Sequence, residues 1–456
     1  MSLVSKDTAL CLSRFIDELT FEKIPSEAVE AARMFIADYY AACYAGIKVN
    51  QAFNKVMLNI VQSMSRDGEA TVLELEQKLP AESAAFMNAI YAHGADMDDG
   101  NRKAMGHVGA HVMSAIFALA ESLGNKTWRD VLTAIIVGYE VYNRVSAMAQ
   151  PGLVHRGFHS TGTAGAVACG AACAKLMGGD AAGIYNAMGI AAIQASGLII
   201  IAESGQACKP LNPANAAKTG IISAKLALSG VKGPVLPLES QKGWFHAMTD
   251  EIHYEMLDDL GQVFTICESY LKPYPSCRHT HCGIEAAISI RDEMQAKEMT
   301  ARDIRSIKLY IYNNAIQIAG QIKIPATPDD AKFSIHYSLA VAMLTGNYML
   351  DDLEKAPTEE AKKLVEKIEL IPDSSMEDTA SGIRGARLIV EFTDNSCTER
   401  TVLLPKGDAA NPFTWADMQR KMEACFAGFG LSAEAVINKI QEIDTSSGYK
   451  GIWSLL

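Results

Sequence analysis

Among its ten cysteines this 456-residue sequence has no C-x-x-C pair; it also has no excess of basic residues, no low-complexity tract and no apolar run of bilayer length. Each absence removes a class of protein. Scattered cysteines without paired spacing fit reduced thiols rather than a disulfide framework, and with them a cytoplasmic setting. The 41 Lys and Arg against 53 Asp and Glu give a net charge of −12, which argues against nucleic acid or an anionic membrane surface as a partner, since both reward basic patches. The longest apolar stretch, MGIAAIQASGLIIIA at 188–202, is too short to span a membrane and carries Gly, Gln and Ser. The N-terminal MSLVSKDTALCLSRFIDEL has acidic residues within its first helix and lacks a basic-then-apolar signal pattern. With 49% hydrophobic and 21% charged residues the chain folds, and its length exceeds what one core usually supports, so two domains are expected.

What the sequence does have is helix. Up to about residue 265 nearly every segment shows helical periodicity with start signals. Pro80 opens PAESAAFMNAIYAH with Gly94 as its C-cap, and a second helix is expected from His107 to a stop at Gly124. After 265 the texture changes: IRSIKLYIY (304–312) alternates like a strand, and ARLIVEFT and TERTVLLP flank DNSC, a hairpin turn by composition. Helical segments lie near 281 and 330, so this part reads as a smaller α+β domain. The last fifty residues return to helix behind a Thr414–Asp417 capping box. The expected fold is mainly α: a large helical domain formed by both chain ends, 1–266 and 403–456, with a smaller α+β domain inserted at 267–402.

Four stretches carry candidate chemistry. GADMDDGNRKAMGHVGAHV (94–112) sets Asp96, Asp98 and Asp99 ahead of His107 and His111 on one helical face. A divalent-metal site there is chemically possible. A D-M-D-D run in a helical domain also resembles the magnesium motif of isoprenoid synthases, but the second acidic partner that motif needs is not found. We therefore expect no metal, with Asp98 and Asp99 capping or bonding the loop. In GFHSTGTAGAVACGAACAKLMG (157–178), Ser160 or Thr161 is a natural N-cap, which places His159 at a helix start where the dipole disfavours imidazolium; a neutral, proton-accepting His159 follows. ACKPLNPANAAKTG (207–220) offers Lys209 before a loop with Asn212. YLKPYPSCRHTHC (270–282) gathers Lys272, Arg278, His279 and His281 at the junction between the two textures, and its Cys277, His279, His281 and Cys282 lack the loop that would let them converge on zinc. Four potential cations there suit a small polyanion.

Taken in order, HGADMDDG with GHVGAHV, GFHSTGTAG, CKPLNPANAAK, KPYPSCRHTH and IPATPDDAKFSIHYSLA resemble the signature blocks of the MmgE/PrpD family, which includes 2-methylcitrate dehydratases, cis-aconitate decarboxylases and iminodisuccinate epimerases. The resemblance spans almost the whole chain. It implies a helical domain built from both ends, an inserted lid domain, a homodimer, a site between the domains, and chemistry without metal, iron–sulfur cluster or other cofactor. It places the site aspartate on Asp96, the loop histidine on His107, the helix-start histidine on His159 and the two lysines on Lys209 and Lys272. Two departures stand out: the decarboxylases carry a threonine where this chain has Gly100 and a histidine where it has Cys277, the imidazole falling instead on His279.

The chemistry that the resemblance implies, shared by dehydratase, decarboxylase and epimerase, is proton transfer at a carbon next to a carboxylate of a small di- or tricarboxylate, which needs a base near neutral pKa and a stabiliser for the developing charge. His159 is the expected leading base, with His107 or Asp96 as the second proton-transfer group and Asp96 orienting His107. Lys209, Lys272 and Arg278 would hold carboxylates, with Asn212, Cys277 and His279 also at the substrate. Dehydration of a 2-hydroxy tricarboxylate such as 2-methylcitrate leads, ahead of epimerisation of a substituted succinate and then decarboxylation. The rival from another class is a silent carboxylate-binding dimer.

Overall fold

The computed structural model describes residues 7–200, 207–378 and 381–456. The first six residues and the last two of the 188–202 apolar run lie outside that set. No helix among the described residues is long and apolar enough to cross a membrane.

Alanine and glycine set the architecture of the helical part, because residues without bulk let helix axes approach closely. A Cβ on Gly94 would stand 2.9 Å from the Gly46 Cα, so the end of the Ala81–Gly94 helix presses directly on the Ser26–Lys48 helix. Gly94 is therefore not the expected C-cap; it is the last helical residue, and close approach is what requires it. The Ser160–Leu176 and Leu211–Leu228 helices meet the same way, since a Cβ on Gly220 would overlap the Cys169 Cβ at 2.1 Å. Cys169 and Cys173 are buried packing residues there, and all ten cysteines are unpaired.

The second expected helix runs Gly109–Leu123, two residues later than its first histidine, and stops at Gly124 with φ 69°, the left-handed turn that glycine adopts without strain. The strand signals beyond 265 mark a four-stranded sheet in the order Ile368–Pro372, Ile304–Ile311, Ala386–Phe392, Cys397–Val402. The first pair is parallel and the others antiparallel. Ala386–Phe392 buries every second residue, while the edge strand Cys397–Val402 buries none. The His281–Ala296 helix covers the two C-terminal strands, and the Ile335–Thr345 helix packs against it.

The chain then returns. Thr414 and Asp417 form the expected capping box, and the Trp415–Phe426 helix lies on Ser26–Lys48, with the Phe426 and Tyr44 rings 5.1 Å apart. From this helix Lys421 reaches Asp38 and, at 2.7 Å, the carbonyl of Met97. Met97 lies inside the aspartate loop, so the C-terminal return pins that loop directly. A second tie comes from the sheet-bearing segment, where a two-residue antiparallel pair sets Gly100 opposite Tyr270 and Asn101 opposite Ser269.

Candidate functional site

The aspartate loop turns back on itself, with Asp96 at φ 52° and Met105 at φ 52°, and this reversal brings residues distant in sequence onto one point. Asp96 is 2% exposed, and burial works against its charge. Lys209 Nζ at 3.0 Å and Lys272 Nζ at 2.8 Å outweigh that penalty and hold its carboxyl well below the usual carboxylate range. Lys272, itself 1% exposed, donates a second 2.8 Å bond to the Asp96 carbonyl.

Asp98 is not the loop cap expected of it. Its Oδ2 lies 2.9 Å from His93 Nδ1 and 3.2 Å from His107 Nδ1. Burial again opposes its charge, and the two histidines prevail, so its pKa falls well below the usual range. His93 makes the hydrogen bond, and His107 Nδ1 is a charge contact outside hydrogen-bond geometry; a negative oxygen that close still favours the His107 proton on Nδ1, which frees Nε2. Asp96 Oδ1 stands 3.4 Å from that Nε2, longer than its 2.8 Å bond from Lys272. Asp98, more than Asp96, therefore orients His107. Asp99 does take the structural part, accepting from the Gly109 N–H at 2.7 Å and the Tyr139 hydroxyl at 2.6 Å. His111 also leaves the site: it is fully buried against the Tyr142 ring, 5.0 Å away, and burial drives its pKa down to about 3.

The expected hydroxyl N-cap at Ser160 or Thr161 is not formed; His159 itself occupies the N-cap position of the Ser160–Leu176 helix. The two hydroxyls serve the neighbouring loop. Thr161 Oγ1 accepts from the His107 N–H at 3.1 Å, and Ser160 Oγ donates to the Met105 carbonyl at 3.0 Å. A Cβ on Gly106 would strike the Tyr142 and Ser160 hydroxyl oxygens at 2.2 and 2.3 Å, so only glycine fits between them. Burial, then Lys209, pushes His159 well below the ordinary histidine range and keeps it neutral. Asn212 Nδ2 lies 2.9 Å from its Nδ1.

These groups open onto one cavity of about 310 Å³, lined by Asp96, His107, His159 and Lys209 from the helical part and by Lys272, Cys277, Arg278 and His279 from the junction. Eight of the nine residues expected at the site thus share one space; Asn212 stands behind His159 instead of on the wall. The junction is less cationic than its sequence suggests. Burial drives His279 to about 3 and His281 well below its usual value, leaving both neutral. His279 bonds the Tyr312 hydroxyl, and His281 the Ser276 carbonyl. The cavity recovers a cation that the sequence did not disclose, Arg384, which lies 106 residues beyond Arg278 with no shared motif. Tyr270 is a second such residue. A Cβ on Gly100 would stand 2.5 Å from the Tyr270 hydroxyl, so this phenol fills the space that a side chain at 100 would take. The Arg278 guanidinium sits 4.4 Å above the Tyr270 ring.

One atom each from His93, Asp96, Asp98 and His107 lies within 4.8 Å of the others, close enough to hold a metal ion. The donor set argues otherwise, because both Asp96 oxygens face lysine ammoniums and a dication would be added to two cations already paired there.

The MmgE/PrpD N-terminal domain model matches residues 11–256 and the MmgE/PrpD C-terminal domain model residues 274–445. The chain is 26% identical over 419 residues to the cis-aconitate decarboxylase-like protein oryM of Aspergillus oryzae, covering 87% of this chain and 86% of that protein. It is 26% identical over 422 residues to cis-aconitate decarboxylase of Aspergillus terreus, covering 87% and 84%. A shorter match, 28% over 129 residues and 27% of each chain, is to 2-methylcitrate dehydratase of Salmonella typhimurium. With two family models together spanning most of the chain, and the residues of its signature blocks converging on one cavity, the chain belongs to the MmgE/PrpD family.

Proposed function

We propose that this MmgE/PrpD-type lyase is a metal- and cofactor-independent hydro-lyase that removes water from a small 2-hydroxy di- or tricarboxylate of the 2-methylcitrate kind. The observation that carries the reading is the buried Asp98–His107 pair opening onto a cavity whose other walls bear Lys209, Lys272, Arg278 and Arg384. His107 Nε2, with its other nitrogen committed to Asp98, takes the proton from the carbon next to a substrate carboxylate. The electron pair spreads onto that carboxylate, where Lys209 and Lys272 meet it in a buried, low-dielectric setting. The neighbouring C–O bond then breaks, and the proton on His107 leaves with the hydroxyl as water. Arg278 and Arg384 hold the remaining carboxylates.

In this reading the segment 267–402 serves as a lid over the site, and the protein works as a cytoplasmic homodimer. Decarboxylation is the second reading, favoured by the near full-length likeness to decarboxylases in Aspergillus. Incubating the enzyme in EDTA with 2-methylcitrate, citrate or cis-aconitate, while following the ultraviolet band of a new conjugated carboxylate and released CO2, separates the two. Absorbance gain without CO2 supports dehydration; CO2 from cis-aconitate replaces it with decarboxylation.

A further inference from the structure

We propose that Asn212 is a positioning residue that locks His159 as a neutral imidazole with its proton on Nε2, so that His159 gives a hydrogen bond to the substrate's developing oxyanion and abstracts no proton. The inference rests on the lyase reading above for the identity of that oxyanion, and on local geometry for the rest.

The orientation of the Asn212 amide is fixed by a group that can only accept. Asn212 Nδ2 lies 3.2 Å from the Leu198 carbonyl oxygen and 2.9 Å from His159 Nδ1. An amide nitrogen has two hydrogens, one for each partner, whereas turning the amide over would set its oxygen against the Leu198 oxygen. That carbonyl is itself held. The His159 N–H donates to the Gly197 carbonyl at 3.0 Å, the Ile199 N–H donates to the Gly157 carbonyl at 2.9 Å, and Phe158 pairs with Leu198 as an isolated bridge. Gly197, at φ 138°, lets the amide lie against the backbone: a Cβ there would meet Asn212 Cγ at 3.1 Å. With Nδ1 accepting, a neutral ring carries its hydrogen on Nε2.

Neutrality has its own causes. His159 is 3% exposed, and burial, then the Lys209 ammonium, disfavours imidazolium, with Asp96 as the opposing charge. A neutral ring with Nε2–H cannot accept a proton at Nε2, and giving its proton away completely would leave an imidazolate, so a hydrogen bond is its available contribution. This reverses the role that the helix-start position suggests for His159. It also takes His159 out of the His107–His159 pair that epimerisation through opposite faces of a carbon would use.

The test reads the ring directly. In protein labelled with 15N-histidine, the His159 signals are assigned by their loss in His159→Gln and followed from pH 5.5 to 8.5. The expected spectrum has a pyridine-type Nδ1, a pyrrole-type Nε2 and no titration. Asn212→Asp, whose carboxylate needs a donor, should invert the two signals and lower kcat at least tenfold with KM nearly unchanged. Asn212→Ser, which retains a donor, should recover part of both. A pyrrole-type Nδ1 or a titrating imidazolium in the wild type overturns the inference whether or not a substrate has been found. The expected spectrum with no reaction on any carboxylate would leave the tautomer standing and count against the lyase substrate alone.

Discussion

Asp98→Asn removes one charge at nearly constant shape, and the consequences can be worked through. His93 Nδ1 and His107 Nδ1 both face the same carboxylate oxygen, Oδ2, at 2.9 and 3.2 Å, the first as a hydrogen bond, so an amide turned either way presents one uncharged atom to both imidazoles. Losing one hydrogen bond to a charged acceptor costs about 1.5–3 kcal/mol, which a domain of ordinary stability survives. Catalysis should suffer more. Without an obligatory acceptor at Nδ1, His107 is free to place its proton on Nε2, the nitrogen required as base. The same replacement behind a catalytic histidine in serine proteases lowers kcat about 10⁴-fold; the longer contact here suggests about 10²–10⁴, or about 3–5 kcal/mol of barrier. Steady-state kinetics beside a urea denaturation curve separate the two effects. A variant that folds normally and retains kcat within threefold of wild type would refute the role given to Asp98.

Asp96→Asn should destabilise as well as inactivate, because it strands Lys209 and the 1%-exposed Lys272 without a counter-charge at a cost of about 3–5 kcal/mol; pairing it with Lys272→Met should restore much of the urea midpoint, and a midpoint unmoved in the single variant would contradict the charge pairing. Gly100→Ala drives a methyl to within 2.5 Å of the Tyr270 hydroxyl and 2.8 Å of the Gly106 carbonyl, so thermal denaturation should show a loss of about 1–3 kcal/mol that Tyr270→Leu partly relieves. Stability should fall as pH drops: His93 at about 4 and His111 and His279 at about 3 are depressed below an unfolded value of about 6.5, so their contribution is complete above 6.5 and is lost on descending toward 3 to 4. Urea midpoints between pH 7.5 and 5 should trace this loss, and His111→Leu should reduce the slope by about one proton, about 1.4 kcal/mol per pH unit.

Features written in adjacent residues were legible in the sequence. The Thr414–Asp417 box, the hairpin around DNSC and the Gly124 stop each depend on a few neighbouring side chains, and each forms where the sequence places it. The candidate site was legible as a set of residues and much less so as a set of roles. Asp98 reads as a loop cap because its two imidazole partners meet it only after the chain reverses at Asp96 and Met105. Ser160 and Thr161 read as helix caps because nothing local shows that a loop fifty residues earlier would claim their oxygens. His279 and His281 read as cations because burial, which strips them of charge, is a tertiary property. Arg384 and Tyr270 carry no spacing signal; Tyr270 could have been suspected only from the glycine that faces it.

The central claim is metal-free proton transfer next to a carboxylate, and proton NMR of candidate di- and tricarboxylates incubated with the enzyme in D2O, with and without EDTA, tests it most directly. The expected result is deuterium entering beside a carboxylate, or a dehydrated product, at a rate that EDTA leaves unchanged and Asp98→Asn depresses. Exchange that stops with EDTA and returns with a divalent cation would contradict the claim and turn His93, Asp96, Asp98 and His107 into ligands.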